Sequence, residues 1–218
     1  MNSQAEENYL KAIYKLSRDE DAVSTSALAA ELGVQAATVT DMLKKLSSKG
    51  RIAYKRYHGT ALTDLGRKEA VRIIRKHRLW ETFLVEKLGF NWGDVHEVAE
   101  QLEHVNSEQL IDRLEAFLGN PKTDPHGDPI PTKEGQVERQ STLPLSELHL
   151  ATPTKIAQVK DDGKDLLSYL EKHGMLLGST VEVLEKLDFD GSLRLLVSGK
   201  EAYVSDKIAS NILVFSPH

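Results

Sequence analysis

The chain has 218 residues, of which 40 % are hydrophobic and 28 % charged, with a formal net charge of -5 and no cysteine. That length can bury one large or two small cores, and the acidic balance argues against a protein that binds polyanions over its whole surface. Without cysteine there is no disulfide, thiolate zinc site or cysteine nucleophile, so a metal would be held by nitrogen and oxygen, which suits Mn²⁺, Fe²⁺ or Zn²⁺.

The first residues, Met1-Asn2-Ser3-Gln4-Ala5-Glu6-Glu7, contain no apolar core of a secretory signal. No apolar run approaches the roughly 20 residues that span a bilayer. A cytoplasmic protein without a membrane partner is expected.

Residues 6–18 read as an amphipathic helix with Leu10, Ile13, Tyr14 and Leu16 on its buried stripe. Ser24 or Thr25 can cap a short helix, Ala27 to Leu32, which Gly33 stops. Gln35-Ala36-Ala37-Thr38 opens a third helix to about Ser48, with Val39, Met42, Leu43 and Leu46 at helical spacing and Gly50 at its end. Ile52 to Tyr57 looks extended, His58-Gly59 is a turn and Thr60-Ala61-Leu62 returns. Helix, short helix, tight turn, helix and basic hairpin predict a winged helix-turn-helix over residues 1–63.

In that architecture the third helix enters the major groove of double-stranded DNA and its first residues face base edges. Those are Gln35, Ala36, Ala37, Thr38 and Thr40. Gln can pair with adenine, and Ala and Thr methyls suit thymine. Between Met42 and Thr63 there is no acidic residue, yet Lys44, Lys45, Lys49, Arg51, Lys55 and Arg56 all fall there. Such an island in an acidic chain is a footprint for a polyanion, whereas an ordinary solvated face mixes signs. Lys44, Lys45, Lys49, Lys55 and Arg56, with His58, are expected to hold phosphates.

Thr63-Asp64 caps a long helix to about Lys87 that carries Val71, Ile74, Leu79, Phe83 and Leu84. Its His77 and Glu81 sit one turn apart. Alone, such a pair is more often structural than ligating. Residues His96 to His104 change its weight. As a helix, capped by Asn91 and stapled by Phe90 onto Val95, they put His96, Glu100, Glu103 and His104 on one stripe beside an apolar stripe of Val98, Leu102 and Val105. At 1.5 Å per residue His96 and His104 lie roughly 12 Å apart, too far to share one ion. Glu100, Glu103 and His104 therefore make one cluster, and His96 joins His77 and Glu81 in a second. The bland reading is a polar face of i,i+4 ion pairs, but no Lys or Arg occurs between Lys87 and Arg113.

The helical pattern continues through Leu110, Ile111, Leu114 and Phe117, whose apolar surplus predicts a homodimer face. Residues 119–142 hold four of the seven prolines and read as a linker of ordered turns, closing a helical region at 64–142. That linker carries Asp124 and His126, ligand-type residues that a plain linker does not require. Residues 143–218 are β-rich, with expected strands at 151–159, 180–184, 193–197, 202–204 and 213–215 and a helix at 165–173. They predict a small antiparallel barrel, and the fold class as a whole is mainly α with a small β domain.

Tyr9-Leu10-Lys11-Ala12-Ile13-Tyr14, Leu62-Thr63-Asp64-Leu65-Gly66, Lys76-His77-Arg78-Leu79, His96-Glu97-Val98-Ala99-Glu100, Leu102-Glu103-His104 and Pro125-His126-Gly127-Asp128-Pro129-Ile130-Pro131 occur in that order. In these residues the chain resembles the diphtheria toxin repressor family of metal-dependent regulators, and most of all its manganese transport regulator branch. The resemblance implies an N-terminal DNA-binding head, a helical dimerisation and metal domain and a C-terminal SH3-like (FeoA-like) domain. It also implies a primary site of Glu100, Glu103 and His104, completed by the first helix at Asn8, where the family usually has aspartate or methionine. Neighbouring Glu7 is the alternative. The iron-responsive branch has cysteine at the position of Glu100, so glutamate there resembles the manganese branch.

The family's ancillary ligands match His77, Glu81 and His96. A second site that draws on the linker maps onto Glu81, Asp124, His126 and Asp161, with Asp124 where those relatives carry cysteine. A glutamate that the iron branch supplies from its C-terminal domain falls at Lys155 here and is not carried over. The expectation is a cytosolic, homodimeric repressor of metal-transport genes that takes up about two Mn²⁺ per chain and binds a palindromic operator, with Fe²⁺ as the competing ion. Two other readings remain open: a winged-helix regulator sensing Fe²⁺ or an organic ligand, and a metallohydrolase. The last lacks the second histidine of an H-E-x-x-H pattern and any nucleophile.

Overall fold

The computed structural model describes residues 3–17, 22–55, 59–138, 140–160 and 163–217. The expectations for Arg56, His58 and Asp161 fall outside them. The chain divides into two compact units, one of Met1–His77, Leu102–Asn106 and Pro131–Gln136, the other of Arg78–Gln101, Ser107–Ile130 and Val137–His218.

In the first unit α1 (Gln4–Leu16) begins at a capping box. Glu6 N–H donates to Ser3 Oγ at 3.3 Å, and Ser3 N–H donates back to Glu6 Oε2 at 3.0 Å. Reciprocal capping satisfies two otherwise orphaned backbone donors, worth about 1 kcal/mol, and sets the helix two residues earlier than apolar spacing alone places it. The helix α2 (Thr25–Leu32) is capped by Ser24 and closed by Gly33 at φ 63°, a conformation that glycine adopts without a Cβ penalty. The third, α3 (Ala36–Ser48), starts after Gln35, whose side chain makes no capping bond. Strands β1 (Ile52–Lys55) and β2 (Gly59–Leu62) pair antiparallel with Ile52 opposite Leu62. Leu10, Ile13, Leu28, Val39, Leu43 and Leu46 form the fully buried centre of this head, each side chain contributing about 1.5–3 kcal/mol of burial. The predicted winged helix-turn-helix is the observed one.

One 25-residue helix, α4 (Asp64–Leu88), passes from the first unit into the second. Then α5 (Val95–Leu102) and α6 (Glu108–Phe117) follow, the latter capped by Ser107. The expected helix over 96–104 is therefore shorter by two residues, and Glu103 and His104 leave it in a turn. In the second unit Leu79, Ile111, Leu114 and Ile130 make a small core, while Leu88, Leu110 and Phe117 stay exposed. The segment after α6 is ordered. Asp124 Oδ1 accepts from His126 N–H at 2.8 Å and Asp128 N–H at 3.0 Å. At Gly127 (φ 88°) an added Cβ would stand 2.1 Å from the Ala157 carbonyl oxygen, so only glycine allows that approach.

The β region holds β3 (Thr142–Pro144), β4 (Thr154–Val159), α7 (Lys164–Lys172), β5 (Thr180–Lys186), β6 (Leu193–Val197), β7 (Lys200–Val204), α8 (Asp206–Asn211) and β8 (Ile212–Phe215). All strand pairs are antiparallel in the order β3-β8-β4-β5-β6-β7. No pairing joins β3 to β7 among the described residues, so the expected barrel is an open, bent sheet. Bulges after Ile156 and Val183 bend it, and the three-residue β3 ends in Pro144, which has no N–H to extend a ladder. Leu167 and Leu170 of α7 share one hydrophobic core with Ile156, Val183, Leu195 and Val214, and Trp92 belongs to the same core. No helix among the described residues is long and apolar enough to cross a membrane.

Candidate metal centre and nucleic-acid interface

Within the first unit, α1 places Lys11 one turn after both Glu7 and Asn8, because spacings of three and four residues nearly close a turn. His104 Nδ1 stands 2.6 Å from Glu7 Oε2. His77 Nδ1 stands 2.6 Å from Glu103 Oε2. The Lys11 ammonium lies 2.8 Å from Glu103 Oε1 and 2.9 Å from Oε2. Glu103 is wholly buried. Burial works to raise its carboxyl, but the hydrogen bond and charge of His77, with those of Lys11, outweigh it and hold the group below its ordinary value. Beside them the Oδ1 of Asn8 is buried and has no hydrogen-bond partner among the described residues. An amide oxygen left in that condition costs about 1–3 kcal/mol unless something accepts its lone pairs, and a divalent cation is one such group. The set of carboxylate, amide and imidazole donors fits a hard or borderline ion.

In the second unit His96 bridges two carboxylates, with Nδ1 at 3.2 Å from Glu81 Oε1 and Nε2 at 3.6 Å from Glu100 Oε1. Here Glu100 faces His96, and its side chain is half exposed. Glu81, Asp124 and His126, all buried, each bring one ligand atom to within 4.8 Å of the others. Burial raises the Asp124 carboxyl well above its ordinary value, the charges of Glu81 and Asp128 push it the same way, and Arg78 with the His126 backbone opposes them. The Arg78 guanidinium holds the segment in place, reaching Asp124 at 3.6 Å, Asp128 at 3.1 Å and the Pro129 carbonyl at 2.5 Å. His126 Nε2 lies 3.2 Å from the Trp92 carbonyl, which can only accept. The proton therefore sits on Nε2 and the lone pair on Nδ1, the usual arrangement of a ligating imidazole steadied from behind. The rings of Trp92 and His126 stack at 5.4 Å, and Trp92 Nε1 donates to the Pro125 carbonyl at 2.7 Å.

The start of α3 is open to solvent. Gln35, Ala36, Ala37 and Thr38 are exposed, while the Thr40 hydroxyl turns back to donate to the Ala36 carbonyl at 2.9 Å. The basic residues are less uniform than their sequence. Lys55 is exposed on β1 and Lys44 pairs with Asp41 at 3.1 Å on the surface. Lys45 and Lys49 both reach Glu6 Oε1, at 3.2 and 2.5 Å. Arg51 clamps Glu69 with two bonds of 2.6 and 3.1 Å. Sequence reasoning passed over Glu6 and Lys11. The signal for Lys11 was its spacing from Glu7 and Asn8; nothing local marked Glu6 as the partner of lysines on another helix.

Three family models match in succession along the chain. They are the N-terminal DNA-binding domain of iron-dependent repressors over residues 1–60, their metal-binding and dimerisation domain over residues 63–132, and a FeoA domain over residues 143–215. The chain is 29 % identical over 208 residues to the iron-dependent repressor IdeR of Mycobacterium leprae (strain TN), covering 89 % of each. Among solved structures it is similar to a manganese-dependent transcriptional repressor in complex with manganese, with TM-score 0.87, 36 % identity and coverage of 97 % of this chain and 100 % of the other. ScaR with bound Zn²⁺ is similar at TM-score 0.78 and 37 % identity, with 96 % and 98 % covered.

Proposed function

The chain belongs to the iron-dependent repressor family, and from that premise we propose that it is a Mn²⁺-responsive repressor that takes up about two ions per chain and then holds a palindromic operator of metal-transport genes in the cytoplasm. The family consists of metal-dependent, DNA-binding transcriptional repressors with a dimerisation domain, not of enzymes. One proposed ion is held by Glu103 and His104 with Asn8 or Glu7 from α1, and Glu100 joins this set on its sequence spacing alone. The other is held by Glu81, Asp124 and His126, with His96 as a further donor; Asp161, which the resemblance adds to this set, lies outside the described residues. Gln35, Ala36, Ala37 and Thr38 read bases, and Lys44 and Lys55 hold phosphates. The exposed Leu88, Leu110 and Phe117 supply the homodimer face.

The observation that carries the reading is the buried group of Glu81, Asp124 and His126. Two carboxylates forced together out of water repel; a proton relieves this only by neutralising one of them, whereas an ion of charge two lets both stay charged and bind it. Two hard oxygens and one imidazole, with no thiolate, favour Mn²⁺ among the ions this family uses. The test is anaerobic titration of Mn²⁺, Fe²⁺ and Zn²⁺ by calorimetry, run beside binding to the gene's own upstream DNA. About two Mn²⁺ per chain and a metal-dependent gain in DNA affinity are expected. Equal DNA affinity with and without metal refutes the reading, and tighter, saturating Fe²⁺ at cellular levels moves it to iron.

A further inference from the structure

We propose that the Lys11 ammonium is a built-in competitor of the metal at Glu103, so that this lysine sets the free-metal concentration at which the primary site fills. The inference rests on the reading of Glu103 as a metal ligand. Lys11 lies on α1 with its side chain only 7 % exposed, and its Nζ touches both oxygens of a carboxylate that is itself 0 % exposed. A carboxylate offers about four lone-pair directions. Lys11 donates to Oε2 at 2.9 Å and its ammonium stands 2.8 Å from Oε1, while His77 Nδ1 lies 2.6 Å from Oε2. An ion entering at either oxygen therefore meets an ammonium already there, and the two cations repel at short range in a medium of low dielectric.

The charge balance leads to the same conclusion. Glu7 and Glu103 bring two negative charges to the group, and Lys11 cancels one before any ion arrives. Lys76 adds to this, because it is partly buried and feels the charges of both Glu7 and Glu103. A site so neutralised holds a divalent ion less firmly than its carboxylate count implies. The same pair has a second role. Without Lys11 the buried Glu103 would keep His77 as its charged or hydrogen-bonding neighbour but lose an ion partner, and a buried charge without its partner destabilises a fold. Lys11 thus stabilises the chain where metal is scarce and opposes the metal where it is not. These two effects have opposite signs in one variant, and that separates competition from a merely structural lysine.

The test uses the full chain with Lys11→Met, which keeps an unbranched side chain one atom shorter and removes its charge. Mn²⁺ affinity is measured by competition with a chelating indicator, and thermal unfolding is followed in excess chelator and in excess Mn²⁺. The expected result is Mn²⁺ binding tighter by tenfold or more, a lower melting temperature in chelator, and a larger rise on adding Mn²⁺ than the parent shows. Lys11→Gln keeps a donor toward Glu103 without the charge and is measured beside it, so a poorly folding Met variant does not leave the question open. Lys11→Arg, which keeps the charge, should bind Mn²⁺ no more tightly than the parent. Unchanged or weaker Mn²⁺ affinity in folded Lys11→Met or Lys11→Gln overturns the proposal. Glu103→Gln tells the two failures apart. If it binds as many ions as the parent, the reading of Glu103 is wrong; if it loses one while the Lys11 variants match the parent, only the competition is wrong.

Discussion

Replacing Glu6 by glutamine should make the head bind DNA more tightly and more salt-dependently while making it less stable. Lys45 and Lys49 stand 3.2 and 2.5 Å from one oxygen of Glu6, whose side chain is 1 % exposed, whereas theirs are 53 % and 36 % exposed. The carboxylate is fixed and the ammoniums are half in water, so Glu6 competes with DNA phosphates for both. Each additional phosphate neutralised steepens the dependence of log K on log salt by about 0.9, so releasing one or both lysines should change the slope by about 0.9–1.8. Glutamine at the same position still accepts at the start of α1, so the capping box survives and the charge alone is removed.

The stability change follows from the carboxyl group. Burial raises its pKa, but hydrogen bonds from Lys49, Ser3 and Lys45 and the Lys49 charge outweigh it and lower the value from 4.5 to about 2. A depressed carboxyl stabilises the fold above its unfolded pKa and loses that contribution as pH falls through the folded one. At pH 7 the contribution is fully present. Solvent screening of the half-exposed lysines reduces it to about 1–2 kcal/mol. The assay is fluorescence anisotropy of the metal-loaded protein on operator and unrelated duplexes over a range of KCl, beside urea unfolding at pH 7 and near pH 3. Both duplexes should gain alike, since phosphate contacts carry no sequence information, and the stability gap between parent and Glu6→Gln should narrow at the lower pH. An unchanged salt slope would refute this, showing that Lys45 and Lys49 never reach phosphate.

Gln35→Ala should alter base preference and leave the salt slope alone, checked by binding to a randomised duplex pool; an unaltered preference removes Gln35 from the reading face. Asp124→Asn keeps the oxygen that caps the 124–128 turn yet removes the charge. It should delete one Mn²⁺ per chain by calorimetry without unfolding, and delete with it the metal-induced change in Trp92 emission, which stacking on His126 makes a reporter in a Trp80→Phe background. Asn8→Asp adds a charge at the buried, unpartnered Oδ1 and should tighten Mn²⁺ on the order of tenfold, about 1.4 kcal/mol. Unchanged affinity there, with Glu7→Gln weakening it, assigns the role to Glu7, whose Oε2 is 2.6 Å from His104.

The head was legible because its elements are set by local rules. Apolar spacing, Ser24 at a helix start and Gly33 at a helix end each act within one turn of chain, and the buried residues Leu10, Ile13, Val39, Leu43 and Leu46 follow the period that predicted them. Short elements were harder. Strand β3 has three residues, one of them proline, and α8 is a six-residue helix announced only by Ser205, so neither has enough length to show a period. The stop of α5 at Leu102 was missed for a different reason. Residues 103 and 104 fit a helical stripe as well as 96 and 100 do, but Glu103 gains two partners, Lys11 and His77, by leaving it. Tertiary pairing overrides a weak helical preference there.

Charge is where local reading falls furthest short. The island from Lys44 to Arg56 counts as six unopposed cations in the sequence. In the fold Glu6, 43 residues from Lys49, holds two of them, Glu69 holds Arg51 and Asp41 meets Lys44. The acidic stripe at 96–104 errs in the opposite direction, since no cation lies near it in sequence, yet Lys11 arrives from 92 residues away to neutralise Glu103. Both misreadings have one physical origin. A side-chain charge acts through space over several ångströms, and chain distance says nothing about which charges the fold will bring within that range. The residue types that DNA and metal require can therefore be read from sequence, but how strongly each is already opposed cannot. On the proposal that Lys45 and Lys49 reach phosphate and Glu103 holds metal, that opposition, by Glu6 on the DNA side and Lys11 on the metal side, sets how much ligand the protein needs before it responds.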